Sequence, residues 1–321
     1  MLPSLDLHED SQDAKFDLVF SLAQRLDLLP PVYVISHARA GRVRTLKTLP
    51  VLNEMPGVLV VAEHEMAEYQ RHHGRRVLLP IPESFGPRNL GVGRARQWSL
   101  DTADVLGHDH AIVLDDDLTL LSVLWGAEPG RASRAFAGRV EGRREEFFLG
   151  VFMLFVVASL EAFERVPSAM ISSHQNQNAN RTPAASEARY QVNLGGNPGL
   201  AQAWHVRRFL EATGGLDLAR WNDHGDDIGA VVQILNAGGS VIKVPSIIGN
   251  SLDCETDSVI RTPESAPRLR QAEHDHLMAD PLGPYVKTKY DLIDRPQWHS
   301  LDWRRLARDG RVTTGSAPWA V

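Results

Sequence analysis

Little in this chain is in excess. Of its 321 residues a single one, Cys254, is a cysteine, so no intrachain disulfide framework can form and a reducing compartment is implied. Neither sign of charge dominates. The formal net charge of -6 argues against a protein that coats nucleic acid over its whole surface, though a local basic patch can coexist with it. The opening MLPSLDLHEDSQDAKF is acidic and has no basic segment ahead of an apolar one, so no secretory signal is expected. Internal repeats and low-complexity tracts are lacking. The longest apolar run, FFLGVFMLFVVASL, is bounded by Glu145, Glu146 and Glu161 and falls short of the about 20 residues that a bilayer span needs. It predicts a buried strand or core helix in a soluble, cytoplasmic protein without a membrane partner.

What is there is ordinary globular composition, 43% hydrophobic and 23% charged, in a chain long enough for one or two domains with a substantial core. Residues 14–29 space Phe16, Val19, Leu22, Leu26 and Leu29 as a helix that Pro30-Pro31 stops. Strands then alternate with helices: VYVIS (32–36), a helix over RVRTLKTLPVL, GVLVVA (57–62), a helix over EHEMAEYQRHH, RVLLPIP (76–82), a helix over RARQWSLDTADVLG, and HAIVL (110–114). That alternation predicts an α/β fold, a mostly parallel sheet flanked by helices. The second half is less regular. Residues 172–193 are polar and predict a long loop; helices are expected around Trp204–Thr213 and from Asp226 to Asn236, the latter capped by Gly238-Gly239, before a strand over SVIKVP (240–245). Beyond Asn250 the tail shows little periodicity. The expected organisation is a helical appendage (1–30), a main domain (31–250) and a C-terminal extension packed on it (251–321).

Asp115-Asp116-Asp117 carries the most chemistry. It closes an apolar strand, where open α/β sheets bind ligands. Three adjacent carboxylates repel one another, and a divalent cation such as Mg²⁺ or Mn²⁺ would relieve that. In extended backbone alternate side chains share a face, so Asp115 and Asp117 can meet one site while Asp116 turns away. A solvated acidic turn would present the same residues. The second constellation is Arg207-Arg208, then Gly214-Gly215-Leu216-Asp217, then His224-Gly225-Asp226-Asp227 opening a helix. Gly214-Gly215 permits a tight turn beside a ligand. Asp226 and Asp227 suit a helix N-terminus, where capping alone would also favour them.

Together these features resemble the GT-A nucleotide-sugar glycosyltransferases, in which an acidic D-x-D at a strand end binds the donor through a metal and a downstream GGFDE…ED region carries the acceptor base. Leu216 stands for Phe, and Asp226 for Glu. The opening VISHARAGRVRTLKTLP, with RNLGVGRARQWSLDTA and IVLDDDLTLL, resembles more closely the phage TET-associated glycosyltransferases, which are predicted to glycosylate hydroxymethylated pyrimidines in DNA; His37 and Ala38 depart from that family's usual Arg and Gly. The resemblance spans about residues 31–250 and divides them into a donor half (about 31–120) and an acceptor half (about 121–250).

The resemblance implies a divalent metal (Mn²⁺ or Mg²⁺), a nucleotide-sugar donor of the UDP-sugar kind, a hydroxyl acceptor on DNA, and the cytoplasm of an infected host as location. Ser36, Arg39, Arg42 and Thr45 would border the base and ribose. Arg88, Asn89, Gly91 and Arg94 would approach the diphosphate or sugar, arginine suiting bidentate phosphate contacts. Asp115 and Asp116 would help bind the donor, Asp117 and Asp115 the metal, with His274 (or His276) as a late additional ligand. Asp227, beside Asp226, would be the general base. If DNA is bound, basic flanks are expected among Arg131, Arg134, Arg139, Arg143 and Arg144, among Arg261, Arg268 and Arg270, and at Lys287 and Lys289, with Trp221, Tyr190 or Trp204 available to stack on a flipped base unless they are core anchors. The competing expectations are a glycan, lipid, protein or small-molecule acceptor, a metal-dependent nucleotidyltransferase (against which the loop SHARAGR tells), and a non-catalytic binding module.

Overall fold

The computed structural model describes residues 12–86, 91–123, 140, 142–176, 188–194, 198–222, 225–250, 266–290, 294 and 296–318. Helix α1 (Gln12–Ala23) precedes β1 (Val32–Ile35); α2 (Thr45–Thr48), β2 (Leu59–Ala62), α3 (Met66–His73), β3 (Leu78–Ile81), α4 (Val92–Val105) and β4 (His110–Asp115) follow. The four strands pair in parallel in the order β4-β1-β2-β3. β1 and β2 are buried at every position, as short apolar runs covered on both faces should be. Their side chains alternate between two cores: Val32 and Val34 join one, Tyr33 and Ile35 the other.

The α/β class expected from the sequence is what the chain adopts, and past β4 the sheet becomes mixed. β5 (Leu120–Val123), β6 (Ala169–Asn176), β7 (Ala188–Val192), β8 (Ala201–His205) and β9 (Ser240–Asn250) extend it to the order β12-β7-β9-β6-β8-β4-β1-β2-β3, with β12 (Gly315–Pro318) antiparallel on β7 and β5 antiparallel on β9. β8 runs antiparallel between β4 and β6. The helices α5 (Arg144–Arg165), α6 (Val206–Thr213), α7 (Leu218–Trp221) and α8 (Asp226–Asn236) lie between these strands in the chain. Then come α9 (Ala266–Met278), the antiparallel hairpin β10 (Val286–Tyr290)–β11 (Pro296–Leu301), and α10 (Trp303–Arg308).

The apolar run is the 22-residue helix α5. By length and composition it could cross a membrane, but 83% of its apolar window is buried within the fold; it is the central helix of one core, with α1 laid against it.

Four local expectations are corrected. The helix over residues 42–52 is broken into α2 and two 3-10 turns, Ala40–Arg42 and Pro50–Glu54. The N–H groups of Arg44 and Thr45 are taken by the Asp116 carbonyl at 2.8 and 3.1 Å, which pins the start of α2 beneath the acidic triplet, and Pro50 limits its end. The polar stretch 172–193 is strand at both ends, with 177–187 outside the described residues. Ser172, Ser173 and His174 are fully buried there because partners satisfy them: Ser159 Oγ lies 2.8 Å from Ser172 Oγ, and His174 Nδ1 accepts from the Gly249 N–H at 3.1 Å. Trp204 belongs to β8 rather than to a helix, and the described residues of the tail, from Ala266 on, form α9, the hairpin, α10 and β12.

Gly150 of α5 lets α1 approach closely: a Cβ there would fall 2.1 Å from the Val19 carbonyl oxygen. The substitution Gly150→Ala is therefore expected to destabilise the chain by about 1–3 kcal/mol through overpacking, read as a lowered Tm; an unchanged Tm would show that α1 is not held by this contact.

Candidate active site

The acidic triplet is built into the sheet end by its neighbours. Asp115 lies in register with Ile35, and its N–H donates to the Leu200 carbonyl at 2.9 Å. Asp116 turns inward and is buried. Its carboxylate accepts from Ser36 Oγ at 2.5 Å and from Arg39 Nη1 at 2.7 Å. Tyr69 Oη sits 2.7 Å from Ser36 Oγ and accepts from the Arg39 N–H at 3.1 Å. Thr45 Oγ1 donates to the Asp115 carbonyl at 2.5 Å and accepts from the Leu118 N–H at 3.0 Å. Ser36, Arg39 and Thr45 thus all bind the acidic segment itself. Asp117 Oδ2 lies 3.9 Å from Arg39 Nη1. Burial raises the Asp116 carboxyl above its ordinary range, opposed by Arg39 and by the Ser36 hydrogen bond.

Arg96, from α4, joins this strand end to the start of α8. Its side chain is 3% exposed. Nε donates to Asp226 Oδ2 at 2.5 Å, Nη1 donates to Gln202 Oε1, and Nη2 is 3.6 Å from Asp115 Oδ1. Burial works against its charge, yet Asp226 and Asp115 outweigh burial and hold the guanidinium above its ordinary value. Asp115 is pushed well above the usual carboxylate range by burial, then by repulsion from Asp117 and Asp226, with Arg96 opposing. Arg96 thus faces Asp115 and Asp226 while Arg39 lies near Asp117, and Asp117 and Asp226 still raise the Asp115 carboxyl.

Asp227 accepts a hydrogen bond from the Ile228 N–H at 2.7 Å, and burial together with the Asp226 charge raises its carboxyl. Two residues that the sequence did not single out stand nearby. Lys243 of β9 is buried, donates to Ser173 Oγ at 3.3 Å, and is pushed down to about 7 by burial, with the Asp227 charge opposing. Glu273 of α9 is buried against Gly225, whose φ of +73° and lack of a Cβ (one would lie 2.8 Å from Glu273 Cγ) admit it. Arg270 Nη1 donates to Glu273 Oε2 at 2.9 Å, and His299 Nε2 is 4.0 Å from Oε1. At the other end of α8, Asn236 Nδ2 donates to both Asp280 oxygens at 3.0 and 3.1 Å, so the α9 segment grips α8 at both ends.

The remaining expected residues are placed as follows. Gly91 and Gly93 pack the start of α4 against the end of α7: Cβ atoms there would fall 1.7 Å from the Asn222 carbonyl oxygen and 2.2 Å from that of Trp221. Arg94 is buried and donates to the Pro82 carbonyl, fastening the turn after β3. Arg42 is exposed. His274 Nδ1 is 3.3 Å from Thr288 Oγ1, and its ring meets those of His299 and Tyr290. Among the described residues no group of three or more His, Cys, Asp or Glu side chains is arranged to hold a metal. Trp204, Trp221 and Tyr190 are buried core aromatics. Arg88, Asn89, His224, Arg131, Arg134, Arg139 and Arg261 lie outside the described residues. Helical spacing could have found Arg96, which shares the buried face of α4 with Leu100 and Ala103; Lys243 interrupts an otherwise apolar strand; Glu273 left no signal.

Glu273 is raised from 4.5 to about 7, by burial first, opposed by Arg270 and reinforced by Asp227 and Asp226. Between those pH values the folded chain keeps a proton that the unfolded chain releases, so stability falls as pH rises through the window, by about 3 kcal/mol in full. Lys243 acts oppositely: lowered from 10.5 to about 7, it makes stability rise with pH above 7. Glu273→Gln is expected to flatten the fall between pH 5 and 7.5 in chemical denaturation by roughly that 3 kcal/mol. The same slope in the variant would remove Glu273 as its source.

Comparison with known proteins identifies the family. The family model described as TET-Associated Glycosyltransferase matches residues 30–211. No curated protein matches the chain. Among solved structures it is similar to glucosyl-3-phosphoglycerate synthase from Mycobacterium tuberculosis in complex with Mg²⁺ and UDP (11% identity, 94% of this chain and 91% of that one, TM-score 0.47). It is also similar to mannosyl-3-phosphoglycerate synthase from Rubrobacter xylanophilus (12% identity, 88% and 90%, TM-score 0.37). With the matched segment running from the residues before β1 into α6 and enclosing the whole Asp115–Asp117 strand end, the chain belongs to the TET-associated glycosyltransferase family.

Proposed function

We propose that the enzyme transfers a sugar from a nucleotide-sugar, a UDP-sugar, to the hydroxyl of a 5-hydroxymethylated pyrimidine in DNA, in the cytoplasm of a phage-infected host. The observation that carries this reading is the Asp115–Arg96–Asp226 bridge, which brings the strand-end carboxylates and the Asp226-Asp227 helix start to one place. The donor is held by about residues 31–120 and the acceptor by about 121–250. Membership in a TET-associated family supports a modified DNA base as acceptor.

The carboxylates at the β4 end fit a hard divalent cation. They are oxygen donors, and burial together with the charges of Asp117 and Asp226 keeps the Asp115 carboxyl high against the opposing Arg96. Asp117 and Asp115 would hold Mn²⁺ or Mg²⁺, with further oxygens drawn from the diphosphate and water. When bound, the cation supplies Lewis-acid neutralisation of the departing diphosphate. Asp116 keeps the segment rigid through Ser36 and Arg39. Asp226 is committed to Arg96, which leaves Asp227 to take the proton from the acceptor hydroxyl. Its raised basicity suits that task near neutral pH. The acceptor oxygen then bonds to the anomeric carbon as the bond to the diphosphate breaks, and the nucleoside diphosphate leaves.

Two substitutions divide these roles. Asp117→Asn is expected to abolish the Mn²⁺-dependent rise in Tm that UDP gives the wild-type chain; a retained rise would remove Asp117 as a metal ligand. Asp227→Asn is expected to keep that rise but to lower transfer by at least about 100-fold, the usual scale of a lost general base. Transfer is read by nucleoside mass spectrometry of hydroxymethylated DNA incubated with a panel of nucleotide-sugars. Wild-type enzyme that leaves the DNA unmodified while glycosylating another acceptor would overturn the DNA reading.

A further inference from the structure

We propose that the outer face of the β10–β11 hairpin is a docking surface for the DNA strand that carries the acceptor base; this rests on the reading of DNA as the acceptor. The hairpin is two-sided. Thr288 and His299 form a cross-strand pair whose side chains are 3.0 Å apart and turn toward α9, His299 being 1% exposed. The alternate positions point away from α9. On that face Trp298 stands directly across from Lys289, and Ser300 across from Lys287. Trp298 is 47% exposed, and the Lys289 and Lys287 side chains are exposed beside it, Lys287 reaching Asp302 at 3.0 Å. A half-exposed indole thus stands opposite Lys289 with Lys287 diagonal to it on the same face. It is the arrangement in which a base stacks on an aromatic ring while ammonium groups meet the flanking phosphates.

Charge favours the same occupant. The chain as a whole is net negative, but residues 286–311 carry seven Lys and Arg against four Asp. Arg304 and Arg308 lie one turn apart on the exposed side of α10, opposite buried Trp303 and Leu306. Of the other described basic groups expected to meet DNA, Arg143 and Arg270 are engaged in holding the fold. Arg143 pairs with Glu146 at 2.8 Å and lies over Phe20, while Arg270 pairs with Glu273. The hairpin is also close to the chemistry. His299 on its inner side approaches Glu273, and Glu273 packs on Gly225, the residue before Asp226-Asp227. A strand on the outer face would therefore lie two elements, the hairpin and α9, from the proposed base.

The test measures binding of a labelled single-stranded oligodeoxynucleotide and its duplex by fluorescence anisotropy, with transfer to hydroxymethylated DNA assayed in parallel. Trp298→Ala is expected to weaken binding at least about 5-fold, the lower end for losing one stacked base, and Lys289→Glu to lower the salt dependence of binding by about one phosphate contact. Both should raise the KM for DNA and leave the KM for the donor unchanged. Leu106→Ser, at an exposed apolar position on a different element, should change neither. Variants that bind and react as the wild type does, while the wild type modifies DNA, would overturn the hairpin surface and leave the acceptor reading standing. A wild-type chain that neither binds nor modifies DNA would overturn both.

Discussion

The site depends on one buried guanidinium. Arg96 is held among Asp226, Asp115 and Gln202, at distances that leave no room for water between it and Asp226. Taking such charges out of water costs several kcal/mol per ion, and only close geometry with satisfied hydrogen bonds offsets that. Arg96 meets the condition with three partners on three elements: the end of β4, the middle of β8 and the start of α8. The result is geometric more than energetic. Removing one partner leaves the others buried and uncompensated, a penalty of about 3–5 kcal/mol, so the strand end and the helix start are fixed relative to each other. Gly91 and Gly93 make this possible by letting the first turn of α4 abut the Trp221–Asn222 backbone.

That fixed distance gives the three aspartates of the triplet different work. Asp116 is drawn inward by Ser36 and Arg39, while its carbonyl anchors α2. Asp115 and Asp117 share a field with Asp226, answered by Arg96 at Asp115 and Asp226 and by Arg39 near Asp117. Burial and the neighbouring carboxylates hold the Asp115 carboxyl high, and the divalent cation proposed above would relieve that repulsion. The residues expected at the nucleotide, Ser36, Arg39 and Thr45, act in the same segment from below, so a donor lying there would meet a surface whose carboxylates are already positioned.

How much of this was legible follows from which physical signals survive in one dimension. Fully buried parallel strands leave continuous apolar runs, and β1 to β4 were readable to within a residue or two. The strand-end acidic triplet and the Asp226 helix start were readable because turn and cap chemistry is local. The stretch 172–193 was not: its serines and His174 are polar in composition but buried in the sheet, and what makes that tolerable is hydrogen bonding to β9 and α5, partners remote in sequence. The break in the helix after β1 had the same origin, a remote carbonyl at Asp116 capturing the amides of Arg44 and Thr45. Helical spacing puts Arg96 on the buried face of α4, but nothing local reveals that two carboxylates remote in sequence will face it. Long-range pairing of charge is the part of a site that sequence periodicity does not carry.

The family match ends at residue 211, inside α6, and Asp226, Asp227, Lys243 and Glu273 all lie beyond it. The part of the chain that shares the family pattern therefore contains the strand end and Arg96, while the helix start that completes the bridge is held by elements of the C-terminal third. Those elements are not passive. α9 clasps α8 through Glu273 at Gly225 and through Asp280 at Asn236, and the hairpin seals α9 from the other side through Thr288 and His299. β12 returns to pair with β7 at the edge of the main sheet. If the hairpin receives the acceptor as proposed, one segment couples two tasks, aligning Asp227 and receiving the polymer to be modified, and acceptor choice could change by altering the hairpin without disturbing the carboxylates at the end of β4.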